Sequence, residues 1–99
     1  MRQQKHYCVY LLASRPQGAI YVGITSDLAR RVSMHQQKAF GGHTAKYNIH
    51  QLVWYTSFDN PDDAITFEKR LKRWRRAWKM EMIEKTNPQW IDLSAELTG

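Results

Sequence analysis

Two short apolar runs near the N-terminus, separated by a turn, most constrain how this chain folds. The first run is HYCVYLLAS (residues 6–14) and the second is AIYVGI (residues 19–24), and both are dense in aromatic and aliphatic side chains. Runs of this length and composition are typical of buried strands. The segment RPQG (residues 15–18) lies between them, and its proline and glycine indicate a turn. Because only a few residues separate the runs, they are predicted to pair as an antiparallel hairpin.

The segments after the hairpin indicate a helix and then a third strand. Thr25 or Ser26 is the predicted cap of the helix, and Asp27 lies in its first turn, near the positive end of the helix dipole. The helix is expected to end near Lys38. The run HQLVWYTSF (residues 50–58) is rich in β-branched and aromatic residues and is predicted to be the third strand.

The C-terminal part of the chain is predicted to be helical. Asn60 caps a helix over about residues 61–74, which has proline at its first position and acidic residues in its first turn. A further helix is predicted over about residues 75–85. Asn87 and the proline after it end that helix, and QWIDLSAEL (residues 89–97) is predicted to form a last short helix.

The element order, β-β-α-β-α-α, indicates an α/β fold of the α+β type. Three strands are expected to form one small, mainly antiparallel sheet that is flanked by helices. A length of 99 residues fits a single domain that covers residues 1–99.

The charge balance is basic and favours an anionic partner. The chain has 15 lysines and arginines against 9 acidic residues, for a net charge of +6. Nucleic acid is the commonest partner of a small domain of this charge. Many small soluble proteins are equally basic without binding nucleic acid, so charge alone leaves both readings open.

Cysteine usage and the N-terminal segment exclude several classes of protein. Cys8 is the only cysteine, so the chain forms no internal disulfide and lacks the second thiolate of a typical zinc cluster. The apolar run at the N-terminus is too short for a signal peptide or a membrane span. The sequence therefore predicts a cytoplasmic protein that has no contact with a membrane.

Helical periodicity separates two adjacent arginines in the first helix. At 100° per residue, Arg31 shares an arc with Leu28, Val32 and His35, whereas Arg30 lies on the opposite side. Arg31 is therefore predicted to face the protein, and Arg30 to face water. The stem of Arg31 can simply pack against the core while its head reaches solvent. Alternatively, its guanidinium is held near the sheet to bind phosphate, with His35 one turn away.

The same argument places an acidic residue among apolar ones in the second helix. Glu68 lies in the arc of Ala64 and Leu71, and a carboxylate rarely turns inward without a partner. It is predicted either to form an ion pair with Arg31 or to bind a hard divalent cation. The solvent-facing side of this helix is basic and carries Lys69, Arg70 and Arg73.

A basic segment that contains tryptophans is a candidate nucleic-acid contact. KRLKRWRRAWK (residues 69–79) has seven basic residues in eleven, together with Trp74 and Trp78. Arg70 and Arg73 are candidate phosphate contacts, and the tryptophans either stack on bases or, being four residues apart, both pack on the core. Lys46, in the loop after the first helix, is a further candidate phosphate contact.

These residues together resemble the GIY-YIG nuclease superfamily, and most of all its small stand-alone bacterial members. The resemblance rests on Tyr10 in CVYLL, YVG from Tyr21, Arg31 with His35 one turn later, and Glu68. The segments EKRLKRW and EKTNPQWIDL are also similar to those members. Cysteine and valine stand where the name of the motif has glycine and isoleucine, a change that affects strand packing more than chemistry.

The resemblance implies a metal-dependent endonuclease that hydrolyses phosphodiester bonds in DNA, with a role in DNA repair or recombination. It implies that Tyr10 helps to activate the attacking water and that Arg31 stabilises the charge on the scissile phosphate. Glu68 would hold one Mg²⁺ or Mn²⁺, and Tyr21 and His35 would position water or phosphate. Asn87 matches an asparagine near the site and is a candidate nucleic-acid contact.

Two rival functions are compatible with the same sequence. The first is a nucleic-acid-binding module on this fold that has little or no cleavage activity. The second is a generic basic interaction protein, which explains the charge but not an inward-facing Glu68. The substrate is open between forms of DNA and RNA, and a chain of this length is expected to need either low sequence specificity or a protein partner that supplies it.

Overall fold

A three-stranded antiparallel sheet forms the centre of the molecule. The computed structural model describes residues 6–37 and 48–97. The strands are β1 (Tyr7–Ala13), β2 (Ile20–Thr25) and β3 (Gln51–Phe58), and their order in the sheet is β2-β1-β3. Both pairs of neighbouring strands are antiparallel. The predicted fold class and the predicted hairpin are therefore confirmed.

Helices cover both faces of the sheet. They are α1 (Leu28–Gln36), α2 (Pro61–Arg73), α3 (Arg76–Thr86) and a short 3₁₀ helix (Leu93–Leu97). Alternate residues of β1 point to opposite faces, so the central strand contributes to two separate cores. One core is built with α2 and α3, and the other with α1.

The central strand is buried on both faces. Val9, Leu11 and Ala13 point into the core beneath α2 and α3. Tyr10 and Leu12 point into the core beneath α1. All five side chains are fully buried, which explains why the sequence of β1 is a continuous apolar run rather than an alternating one.

The structure confirms the predicted N-terminal cap of α2 but not that of α1. Asn60 caps α2 as predicted, since its side chain accepts a hydrogen bond of 2.7 Å from the backbone N–H of Asp62. The cap of α1 is Asp27, whose carboxylate accepts a bond of 3.3 Å from the N–H of Arg30. The prediction of Thr25 or Ser26 is thus wrong. Thr25 stabilises the turn instead, because its hydroxyl accepts a bond of 3.0 Å from the N–H of Asp27.

The remaining boundaries differ from prediction by small amounts. α2 and α3 are separated by Trp74 and Arg75, both in extended backbone conformations. The predicted end of α1 at Lys38 lies outside the described residues, within which the helix ends at Gln36. None of the helices in residues 6–37 and 48–97 has the length and apolar character that a membrane span requires.

Candidate active site

Three of the predicted site residues meet on the α1 side of the sheet. Tyr10 is in the central strand, Tyr21 is in β2, and His35 is in the last turn of α1. The ring centroids are 6.3 Å apart for the two tyrosines, 6.1 Å for Tyr10 and His35, and 5.3 Å for Tyr21 and His35. The Tyr10 hydroxyl and Nε2 of His35 are joined by a hydrogen bond of 3.3 Å. Periodicity correctly predicted that His35 is buried.

Gly23 creates the space that the Tyr10 ring occupies. The two residues are directly opposite in the β1–β2 register. A Cβ atom at Gly23 would collide with Cζ and Oη of Tyr10. The glycine of the YVG segment is therefore needed so that the phenol can cross β2 and reach His35.

The surroundings of Tyr10 make its hydroxyl a weaker acid than an ordinary tyrosine hydroxyl. Burial raises the pKa of Tyr10 to about 12, and electrostatic interactions with Tyr21 and Glu68 act in the same direction. Arg31 opposes this shift through its charge and its hydrogen bond to the hydroxyl, both of which favour the phenolate. At neutral pH the hydroxyl therefore accepts a bond from Arg31 and still carries its own proton.

His35 is held in its neutral form by the same surroundings. Only 5% of the residue is exposed, and burial lowers the pKa of the imidazole from its usual 6.5. The positive charge of Arg31 lowers the pKa further. A neutral imidazole has one nitrogen that accepts a proton, so His35 next to Tyr10 is a potential proton acceptor at neutral pH.

A cleft of about 280 Å³ opens at the start of α1. Both Arg30 and Arg31 line it, Arg30 being exposed as predicted and Arg31 half-buried. The helical wheel separated the two arginines because it considers only Cα directions, whereas a long side chain can bend round the helix end. Two guanidinium groups beside the N-terminus of a helix favour the binding of an anion such as phosphate. The other lining residues are Thr25, Ser26, Asp27 and Met34.

Glu68 is buried on α2, as its helical position predicts. It is 7% exposed, and its carboxylate forms an ion pair of 2.5 Å with Nζ of Lys72, one turn later in the same helix. The Lys72 side chain is itself largely exposed. Sequence analysis did not single out Lys72, although the spacing of four residues from Glu68 is a recognised signal for such a pair.

The residues present fit one kind of metal site. Within the described residues, no three histidine, cysteine or acidic side chains are grouped to hold an ion. A closed cage of protein ligands is therefore not formed by this part of the chain. Mg²⁺, however, is commonly bound through one or two carboxylates together with waters and substrate phosphates. Glu68 fits this open type of site, provided that Lys72 gives up the carboxylate.

The remaining predicted contacts are Arg70, Arg73, Lys46 and Asn87. Arg70 and Arg73 are exposed on the outer face of α2 and line a shallow cleft there. Lys46 lies outside the described residues. Asn87 is buried, and its amide donates bonds of 3.1 Å to the carbonyl of Val53 and 2.9 Å to that of Ile91. Both amide hydrogens are thus used within the chain, and this geometry indicates a structural role.

Comparison with known proteins reveals a family match over most of the chain. The model of the GIY-YIG catalytic domain matches residues 6–81. A UPF0213 protein of Oceanobacillus iheyensis is 31% identical over 81 residues, which cover 82% of this chain and 92% of the relative. A structure-specific endonuclease subunit, slx1 of Schizosaccharomyces pombe, is 37% identical over 70 residues, which cover 63% of this chain but only 25% of the relative.

A solved structure has the same fold. The solution structure of a UPF0213 protein from Bacillus halodurans superposes with a TM-score of 0.53, covering 83% of this chain and 86% of the other. The two sequences are 24% identical in this comparison.

Proposed function

The chain belongs to the GIY-YIG family of nucleases, and from this premise we propose that it is an endonuclease that hydrolyses phosphodiester bonds in DNA with one divalent cation, Mg²⁺ or Mn²⁺. The observation that carries the proposal is the hydrogen-bonded contact of Tyr10 with His35, next to Arg31 at a cleft of phosphate-binding character. Tyr21 completes the group of rings. The inward-facing Glu68 gives the molecule one candidate ligand for a hard cation.

In this proposal the arginines at the start of α1 hold the substrate. Arg31 stabilises the charge that develops on the scissile phosphate, an electrostatic contribution that is often the largest in catalysis. Arg30, which lines the same cleft, binds a neighbouring phosphate and fixes the course of the strand. The two adjacent residues thus have different tasks.

Tyr10 and His35 move the proton of the attacking water. A tyrosine with a pKa of about 12 is a poor general base at neutral pH. Tyr10 therefore takes a proton from the water as its own hydroxyl proton passes to Nε2 of the neutral His35. The oxygen of the water forms a new bond to phosphorus, the bond to the leaving oxygen breaks, and that oxygen takes a proton from solvent. Tyr21 packs against His35 and keeps the imidazole in position.

Glu68 holds the cation. When bound, Mg²⁺ or Mn²⁺ supplies Lewis-acid stabilisation of charge on the phosphate and on the leaving oxygen. Because Glu68 is already paired with Lys72, the chain alone would bind the ion weakly, and oxygens of the substrate would have to complete its ligands.

The biological setting follows from the family in broad outline. One relative is a subunit of a structure-specific endonuclease. By analogy, this chain acts in DNA repair or recombination, in the cytoplasm, with a protein partner that supplies specificity. Lys46 remains a candidate nucleic-acid contact from the sequence, and neither Lys46 nor the internally bonded Asn87 is needed for the proposed reaction.

A nicking assay tests the proposal. Supercoiled plasmid and branched DNA are incubated with the wild-type chain in Mg²⁺ or Mn²⁺, beside Arg31→Ala and Glu68→Ala. We expect the wild type to cut, and each variant to lose about 100-fold or more in rate, the usual loss for one group that stabilises transition-state charge. Arg15→Ala, an exposed arginine in the β1–β2 turn, is the matched control and should cut normally.

The same assay distinguishes the rival function. If the wild type binds DNA but cuts no substrate with either ion, the chain is a nucleic-acid-binding module and the proposal is wrong. If both variants cut like the wild type, the assignment of the site is wrong.

A further inference from the structure

One tryptophan of the basic segment lies at the surface instead of in the core. Trp78, in the first turn of α3, is 51% exposed, whereas Trp74 is half-buried against the core. Their ring centroids are 6.2 Å apart, with the planes nearly perpendicular. The alternative that both tryptophans pack on the core is therefore wrong for Trp78. A large aromatic side chain that is left exposed beside a half-buried one is a typical feature of a binding surface.

Trp78 lies in a groove with a cation placed over its ring. The guanidinium carbon of Arg75 is 5.4 Å from the centroid of the indole. The groove has a volume of about 290 Å³, and its lining residues are Trp74, Trp78, Glu81, Met82 and Lys85. Trp78 and Arg75 together form a surface of flat groups that carries positive charge, and we call it the stacking surface.

The charge around the stacking surface favours an anionic occupant. Lys85 lines the groove itself, and Arg73 is exposed at the end of α2, immediately before Trp74. Glu81 is the one acidic residue among the lining residues of this groove. An apolar peptide carries no charge that would pair with these basic residues. A nucleic-acid strand presents both a flat base for the tryptophan and phosphates for the cations.

We propose that the stacking surface binds an unpaired nucleobase, with Arg73 and Lys85 contacting phosphates on either side of it. Stacking needs a base whose face is free, so the site selects single-stranded or branched DNA over an intact duplex. The proposal deepens the proposed function and rests on it only in requiring that nucleic acid be the ligand.

The position of the stacking surface fits one strand that reaches both sites. Six residues of α2 separate Glu68 from Trp74, which is about 9 Å along the helix at a rise of 1.5 Å per residue. The ring of Trp78 contacts the ring of Trp74, with 6.2 Å between their centroids. The unpaired base is thus bound a few nucleotides from the cleavage position.

Binding without cleavage tests the proposal. The affinity of the full chain for a labelled single-stranded oligothymidine, and for a blunt duplex of equal length, is measured in EDTA at fixed salt. We expect Trp78→Ala to weaken single-strand binding by about 5- to 150-fold, the range for losing one stacked base, and to leave duplex binding within about twofold. Trp78→Phe should retain most of the affinity because it keeps an aromatic face. Ile91→Ala, at an exposed apolar residue outside the groove, should have no effect.

Three other outcomes overturn the proposal, and a fourth separates it from the proposed function. Equal single-strand affinity of Trp78→Ala and wild type excludes stacking, provided that circular dichroism shows the variant to be folded. Equal losses on single strand and duplex indicate general charge attraction. Self-association that Trp78→Ala abolishes, with DNA binding intact, indicates contact between two copies of the chain. If single-strand binding depends on Trp78 while no substrate is cut, the stacking surface stands and the proposed endonuclease activity fails.

Discussion

At the scale of single residues, the candidate site contains side chains whose pKa values are shifted by burial and by their neighbours. Burial raises the pKa of Tyr10, and burial together with the charge of Arg31 lowers the pKa of His35. Neither shift follows from the residue type alone. The sequence predicts which residues turn inward, because helical and strand periods fix directions, but a pKa depends on every group around the atom.

Substitution of Gly23 tests how strictly the Tyr10 ring is positioned. We expect Gly23→Ala to destabilise the fold by about 1–3 kcal/mol, the usual cost of overpacking, because the new methyl group collides with the phenol. Urea unfolding measures this cost. In a Tyr10→Ala background the same substitution should cost much less, since the colliding atoms are gone. If the two costs are equal, the collision is not the cause.

The neutral state of His35 predicts where activity falls at low pH. Burial and Arg31 lower the pKa of the imidazole, so protonation, which removes the proton acceptor for Tyr10, begins only below the usual 6.5. We expect the rate of DNA nicking to be sustained down to about pH 6.5 and to fall at more acidic pH, as measured in a buffer series at constant ionic strength. A loss of rate that begins above pH 7 would contradict a neutral His35.

At the scale of elements, α1 and α2 pack on opposite faces of the sheet, and each turns its predicted inward-facing residues, His35 and Glu68, towards the protein interior. Their placement was predictable, because the apolar stripe of each helix determines which side faces the sheet. The residue that caps each helix was harder to predict. Three consecutive residues, Thr25 to Asp27, all have side chains suited to capping, and only the local backbone decides that Asp27 caps α1.

The ion pair within α2 predicts competition between Lys72 and a cation. Removal of the Lys72 ammonium leaves the Glu68 carboxylate free to bind Mn²⁺, and an i,i+4 pair on a helix is worth about 0.5 kcal/mol. We therefore expect Lys72→Met to lower the half-saturating Mn²⁺ concentration for nicking by about twofold or more. Lys69→Met, on the exposed face of the same helix, is the matched control. An increased Mn²⁺ requirement in Lys72→Met would show instead that Lys72 assists the reaction.

At the scale of the whole molecule, basic residues line three separate clefts of the described part of the chain. One is the cleft at the start of α1, one is on the outer face of α2, and one is the groove of the stacking surface on α3. The net charge of +6 indicated an anionic partner but not where it binds. That location depends on the three-dimensional placement of residues such as Trp78, which helical spacing alone assigned equally well to the core.

The proposed contacts of α2 with a DNA strand predict a specific dependence on salt. Each phosphate that the protein neutralises contributes about 0.9 to the slope of log affinity against log salt concentration for duplex DNA, because bound counterions are released. Arg70→Ala and Arg73→Ala, on the outer face of α2, are therefore each expected to reduce that slope by about one unit and to weaken binding at low salt. Fluorescence anisotropy from 50 to about 200 mM salt measures the slope. Arg15→Ala, which keeps the net charge of these variants but lies in the β1–β2 turn, should leave the slope unchanged. Because the three variants have equal net charge, an equal reduction in all of them would mean that DNA responds to total charge rather than to contacts along α2.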